Sequence, residues 1–401
     1  MQSLNYTRLL QILFILYAFV IPFSLDMIRI IVPLMILVWF LEGGLKEKFS
    51  MIKKEPFFMI FGIFLLILTL SLFWTSPENL KFGIKYITRY WYLLPIFALY
   101  TSLKKTFVKP LIVAFLAGIF VSVAGSYCVY FHLISFENYM AEGASPFMHH
   151  TLYSIFLALA IAILTDWLLT AQSLKLRIAY SMLWLLFTVN LFINIGRAGQ
   201  LLFFILLMIV LIRRFKVTLF SIITTLVLLG GIFYAAFTLN PQFKNKMELT
   251  QKNLSHIDYK TSLGARIGLD IVAKDIFKQH PLFGVGVGDY LSEKAKTVDK
   301  KYPDRTYVKF LVHYHNQYAE FTVIAGILGL ISYLLLLFSI AKLKIRDKHI
   351  QTLQYLFLTA FALSSLIDAM FHLNRPLSLF ALLTGLLLAQ HRIETEDTVT
   401  P

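Results

Sequence analysis

Residues 317–341 read QYAEFTVIAGILGLISYLLLLFSIA, and Lys342, Lys344, Arg346 and Lys348 follow at once. The run holds a single charged side chain, Glu320, and exceeds the roughly 20 apolar residues with which an α-helix crosses hydrocarbon. Only a segment that satisfies its own backbone hydrogen bonds persists there, so the stretch reads as a spanning helix whose basic flank reports its direction.

The rest of the 401 residues repeats the pattern. The chain is 58% hydrophobic and 15% charged, against about 25% charged in soluble domains. Its +15 formal charge lies in short basic clusters between apolar runs, which points to membrane orientation before nucleic acid. Cys128 is the single cysteine, so neither a disulfide nor a zinc cluster is available.

Twelve spans are expected, at about 9–23, 27–41, 57–74, 84–100, 108–131, 151–169, 176–195, 201–212, 217–239, 317–341, 353–371 and 377–390. The predicted fold is all-α, a polytopic integral membrane protein. Residues 1–239 supply nine helices, 240–315 one long periplasmic loop, 316–391 three more helices and 392–401 a short cytoplasmic tail, expected to fray. With the N-terminus cytoplasmic, the inner segments carry 18 basic residues and the short outer turns six, so both termini are expected inside. The first apolar run has no small-residue cleavage pattern and reads as a retained helix.

The long loop departs from the pattern of tight turns. Its residues 262–279 set Ile267, Ile271 and Ile276 near one face, with Asp270 and Lys274 at i,i+4 spacing, which predicts an amphipathic helix over the outer membrane surface. Pro281 stops it. Gly284, Gly286 and Gly288 then make a tight structural turn, not a nucleotide loop, because no strand precedes them.

Charged and polar residues near the membrane are functional candidates. Arg197 stands in the turn Gly196-Arg197-Ala198-Gly199, where small neighbours would let an anion reach both backbone and guanidinium; a snorkelling arginine is the plain alternative. Arg266 opens the loop helix, where pairing with Asp270 on an exposed face is the plain reading. Arg375 follows His372 and Asn374, and Lys85 with Arg89 forms an i,i+4 basic pair. The densest cluster, His313, His315, Asn316 and Glu320, lies where the loop re-enters the membrane; Glu320 should meet a histidine or an arginine. His149 and His150 lie on the same side, and no spacing indicates a metal site. Arg197, Arg266, His315, Glu320 and Arg375 come from distant parts of the chain yet share the outer face, which favours a common site.

His315-Asn316, nine residues, then Gly326-Ile-Leu-Gly329 is similar to the His-Asn-x9-Gly-x-x-Gly pattern of the O-antigen ligase family, which shares a superfamily with O-antigen polymerases and protein O-oligosaccharyltransferases. Arg197, and Arg266 upstream of the Pro281 turn, support the resemblance. It implies a C-class glycosyltransferase-like enzyme of the bacterial inner membrane. Such an enzyme moves a glycan from undecaprenyl pyrophosphate to a sugar hydroxyl of lipid A-core at the periplasmic face, with inversion. Arg197 and Arg266 would bind the pyrophosphate, and His315 would serve as general base or position the acceptor. Glu320, His313, Asn316, Arg375 and Arg89 would support them, and Gly284, Gly286, Gly326 and Gly329 would be structural. The resemblance implies neither a cofactor nor a metal; the partners are the lipid-linked donor, the lipid A-core acceptor and the bilayer, without nucleic acid.

The short 131–151 connection and the scant sequence after residue 390 favour a ligase over a polymerase or a protein-modifying relative. A polytopic transporter of an anionic substrate is the reading from another class; it calls for interrupted helices and for polar residues near the bilayer midplane, whereas the polar set here lies near one surface.

Overall fold

Asn316 starts the span quoted above: its side chain accepts hydrogen bonds from the backbone N–H groups of Tyr318 and Ala319 at 3.0 and 3.2 Å, an N-cap that satisfies two orphan donors. The computed structural model describes residues 5–134, 145–215 and 257–399, with scattered positions between 216 and 256. No strand occurs among the described residues. The helices are α1 (Tyr6–Val20), α2 (Leu25–Leu41), α3 (Leu45–Lys54), α4 (Pro56–Leu70), α5 (Leu80–Thr88), α6 (Pro95–Ser102), α7 (Lys105–Tyr130), α8 (His150–Thr170), α9 (Leu174–Ile193) and α10 (Arg197–Arg214). After the partly described stretch come α11 (Ser262–Gln279), α12 (Tyr290–Lys301), α13 (Thr306–Lys309), α14 (Gln317–Ala341), α15 (Lys348–Ser364) and α16 (Asn374–Val399).

Five of these, α7, α8, α9, α14 and α16, are long and apolar enough to cross a membrane, or six with α2 and α3 taken as one span bent by 111°. The chain is a multi-pass membrane protein, with fewer continuous spans among the described residues than the twelve expected. The expected span 84–100 is broken into α5, a 3-10 turn at Arg89–Leu93, and α6. Pro95 restarts the helix because it has no N–H to donate into the preceding turn. The expected span 353–371 ends at Ser364, and 365–373 turns back over α14. Most of the expected span 217–239 and all of 135–144 lie outside the described residues. The tail is helical rather than frayed: α16 runs to Val399, Asp397 meets Lys105 at 2.7 Å, and Glu394 accepts the backbone N–H groups of Arg346 and Asp347.

The basic segments gather at one end of the bundle. There Arg392 donates to the carbonyls of Tyr100 and Leu103. Buried Asp166, on α8, takes Arg214 of α10 in a forked pair and meets His349 of α15 at 2.6 Å. This ion triad pins three helices whose other ends, or following turn, carry candidate residues.

Two features of the long loop differ from expectation. The buried face of α11 is Ala265, Leu269, Val272, Ala273 and Ile276, with Ile267 and Ile271 only half-buried, and it packs against α14 and α12 instead of lying on the bilayer. The turn after Pro281 is also inserted into a kink of α14, where Ala325 and Gly326 leave helical geometry. Val285 and Gly286 donate to the carbonyls of Val323 and Ile324 at 2.9 and 3.0 Å, and Ile327 donates back to Pro281 at 2.8 Å. Gly326 has φ +62°, and a Cβ there would lie 2.4 Å from the Leu282 backbone; Gly284, at φ +66°, would meet Val323 at the same distance.

Candidate active site

The start of α14 and the 365–373 turn are clipped together by the backbone. Gln317 donates its N–H to Ser365 at 2.7 Å, and its side-chain oxygen accepts from Phe371 at 2.6 Å. The clip brings Asp368, which is 5% exposed, beneath two imidazoles. His315 takes the left-handed conformation, φ +49°, and its N–H donates to His313 Nδ1 at 3.2 Å, a local turn that holds the two rings 4.0 Å apart. His315 Nδ1 lies 3.2 Å from Asp368 Oδ1, in an ion-pair contact whose angle falls short of a straight hydrogen bond; His313 Nδ1 lies 3.7 Å from the same oxygen. Burial raises the Asp368 carboxyl, but His315, His313 and the Ala369 N–H outweigh it and hold it down at about 2. Burial, with help from His315, pushes His313 down to about 4, so this ring is neutral at pH 7.

Arg266 reaches the cluster from α11. Its Nε donates to the Ile367 carbonyl at 2.9 Å, and a terminal nitrogen donates to Ser262 Oγ at 2.8 Å. Burial lowers its proton affinity, Asp368 opposes that shift, and the positive charge of Arg197 adds to it. Asp270, expected to pair with Arg266, instead accepts from Asn316 Nδ2 at 3.0 Å. Arg197 is the first residue of α10. Gly196 and Gly199 flank it for a different reason from the one the sequence suggests: a Cβ on either would lie 2.1–2.3 Å from Ser154, so the glycines let α10 press on α8. Ser154 Oγ also accepts the Gly199 N–H at 3.1 Å. His149, the N-cap of α8, feels Asp368, His315 and Arg266 electrostatically, and burial lowers its proton affinity.

Glu320 stands apart from His315. Fully buried, it accepts from Tyr86 Oη at 2.8 Å and from the Tyr314 N–H at 3.1 Å, and it meets His372 Nδ1 at 3.1 Å. His372 in turn lies 5.2 Å, ring to ring, from His313, and Arg89 donates to the His372 carbonyl. Lys294, which donates to the Leu311 carbonyl, is pushed down to about 8 by burial, with Glu320 opposing. Glu320, His372 and Arg89 thus form a polar layer behind His313. Arg375 turns toward the Phe23 carbonyl at 3.5 Å, in the turn between α1 and α2.

The residues brought together are Arg197, Arg266, His313, His315 and Asn316, joined by Asp368 and His149. Asp368 is the carboxylate that the sequence reading passed over. Its signal was an acid in the apolar run 363–371, the same signal that marked Glu320. The donor atoms of His313, His315 and Asp368 all lie within 4.8 Å of one another, a spacing that suits a cation. The chemistry of the surroundings opposes one, since the Arg266 guanidinium acts on the group electrostatically and His313 Nδ1 already accepts a backbone N–H. The arrangement suits an anion instead: two cationic forks beside an imidazole backed by an ionised carboxylate.

Residues 181–334 match the sequence profile of the family described as O-Antigen ligase. No curated protein matches the chain. The matched stretch runs from within α9 to within α14, so it contains Arg197, Arg266, His315 and all four motif glycines, whereas Asp368 lies beyond it. It supports a function of ligase or polymerase type. Over residues 181–334 the chain is therefore similar to the O-antigen ligase family.

Proposed function

We propose that the protein is an O-antigen ligase of the bacterial inner membrane, transferring a glycan from undecaprenyl pyrophosphate to a sugar hydroxyl of lipid A-core on the periplasmic side. The observation that carries this reading is the meeting of His315 and Asp368 with Arg266 and Arg197 at one end of the bundle. Arg197 and Arg266 bind the pyrophosphate oxygens and stabilise the charge that grows as the bond from the anomeric carbon to the phosphate oxygen breaks. Asp368 sits at His315 Nδ1 and keeps the proton there, which leaves the Nε2 lone pair for the acceptor hydroxyl. As the acceptor oxygen bonds to the anomeric carbon from the opposite face, its proton passes to Nε2 and undecaprenyl pyrophosphate departs. The configuration inverts. Asp368 stabilises the imidazolium formed in this step, and the two guanidinium groups supply the positive charge that the leaving group needs.

A purified reaction with a lipid-linked glycan and two acceptors, lipid A-core and a second copy of the lipid-linked repeat, tests the assignment. Glycan on the core is the expected product. Elongated lipid-linked product without core transfer would make the chain a polymerase, and transfer to an added acceptor protein would make it a protein O-oligosaccharyltransferase. A transporter would place its substrate-binding groups near the midplane, whereas His149, His315 and Asp368 sit at a helix start and in turns, which favours the transferase.

A further inference from the structure

At the end of the bundle opposite the candidate site, the helices leave a cavity of about 490 Å³ between α7, α8, α9 and α15, within the usual range for a ligand-sized pocket. Lys105 and Lys109 line its upper wall, Ser173 its rim, and Trp167, Leu176 and Tyr180 its side toward the bilayer. The lining combines the groups found at a membrane interface: two ammonium groups, an aromatic pair with ring centres 5.8 Å apart, and aliphatic side chains. The first turns of α9 stand away from the other helices, with Leu174, Leu176 and Ile178 all exposed, so the cavity opens sideways at the level of the lipid headgroups.

The charge favours an anion. The carboxylate among the lining residues, Asp347, is occupied in capping α15, accepting the N–H groups of His349 and Ile350 at 2.9 and 3.0 Å. Lys105 pairs with Asp397, but both side chains are more than half exposed, and such a pair is weak and exchangeable. Lys109 reaches over the Trp167 ring at 5.9 Å. Helices α7, α9 and α15 begin at this cavity and α8 ends there, so the balance of helix ends adds to the positive potential of the lysines.

We propose that this cavity binds the headgroup of an acidic glycerophospholipid from the leaflet that faces the basic segments. The phosphate lies between Lys105 and Lys109, and the acyl chains run down the groove along Leu176 and Ile112. A lipid seated there fills the gap between α9 and α7 and braces α8, whose far end carries His149 and packs on the start of α10 beside Arg197. The site is independent of the transfer chemistry.

The test uses the full chain in nanodiscs of phosphatidylcholine doped with phosphatidylglycerol, with bound lipid counted by native mass spectrometry and thermal unfolding followed in parallel. Three proteins are compared: wild type, Lys105→Gln/Lys109→Gln, and a control, Lys53→Gln/Lys54→Gln, that removes two exposed charges from the same end. The expected result is retention of phosphatidylglycerol by wild type and control, at least fivefold weaker retention by the cavity variant, and a stabilising shift present only where lipid is retained. Equal retention by the cavity variant overturns the proposal. So does equal loss in the control, which would mean general surface charge, and so does displacement of the lipid by inorganic phosphate at equal phosphate concentration, which would mean a site for a free anion.

Discussion

Replacing Asp368 with Asn keeps the size of the side chain and removes its charge beside His315. At the observed 3.2 Å separation, Coulomb's law with an effective dielectric of 20–40 gives about 2.5–5 kcal/mol of support for an imidazolium. His315 is 27% exposed, so the lower half of that range applies. At 1.36 kcal/mol per decade, this is a loss of roughly 10²–10³ in kcat. The effect should fall on kcat, because Arg266 stays anchored by the Ile367 carbonyl and Ser262 and continues to hold the donor. The donor KM should therefore change by less than about threefold. The assay is the purified transfer reaction in nanodiscs, run across pH 5–9 with donor varied and core acceptor saturating, beside a melting curve for each protein. A variant with kcat within threefold of wild type would refute the role given to Asp368. A fall in activity matched by loss of the folded protein, with the pH profile unchanged, would reassign the residue to structure.

Arg197→Ala, Arg266→Ala and His315→Ala should each abolish glycan attachment while the protein still reaches the membrane; normal long-chain lipopolysaccharide from all three would remove the mechanism. Gly326→Ala forces a Cβ to 2.4 Å from the Leu282 backbone at φ +62° and should cost about 3 kcal/mol, visible as a lower Tm; an unchanged Tm contradicts the interlock. The His313 proton affinity is lowered on folding from 6.5 to about 4, so the unfolded chain binds more protons between those values and stability rises with pH across that window. That contribution is about 3 kcal/mol when complete, and His313→Asn should flatten the pH 4–6.5 slope in thermal melts. A reporter fused near Lys260 should be active only outside the cytoplasm and one near Lys344 only inside; the opposite pattern reverses the orientation.

Much of the helical architecture was readable, because long apolar runs leave the backbone no other choice. What escaped was set by contacts between distant segments. Hydropathy treats 84–100 as one run, but Pro95 divides it. The face of α11 was misread because three isoleucines outweigh alanines and glycines on a hydropathy scale, whereas Gly264 and Gly268 are small to admit Asp258, Tyr259 and Val308. At the site, Arg197, Arg266 and His315 were legible because each is a charged or titratable group at one membrane face. Asp368 was equally anomalous in its apolar setting, yet a span drawn through 353–371 concealed it as the interior of a helix. Glu320 was correctly marked as needing a partner, but whether it meets His372 or His315 depends on how a turn folds over α14, which no spacing encodes.

The turn after Pro281 does more than pack against α14, because it completes a hydrogen-bond ladder that the kink leaves open. Each strip of backbone is the other's missing partner, so neither is a self-contained part. Exchanging the loop for another sequence therefore has to carry residues 281–286 and 323–329 as one unit of inheritance. A graft cut between them would leave the carbonyls of Val323, Ile324 and Pro281 without these donors and would show as a lower yield of folded protein.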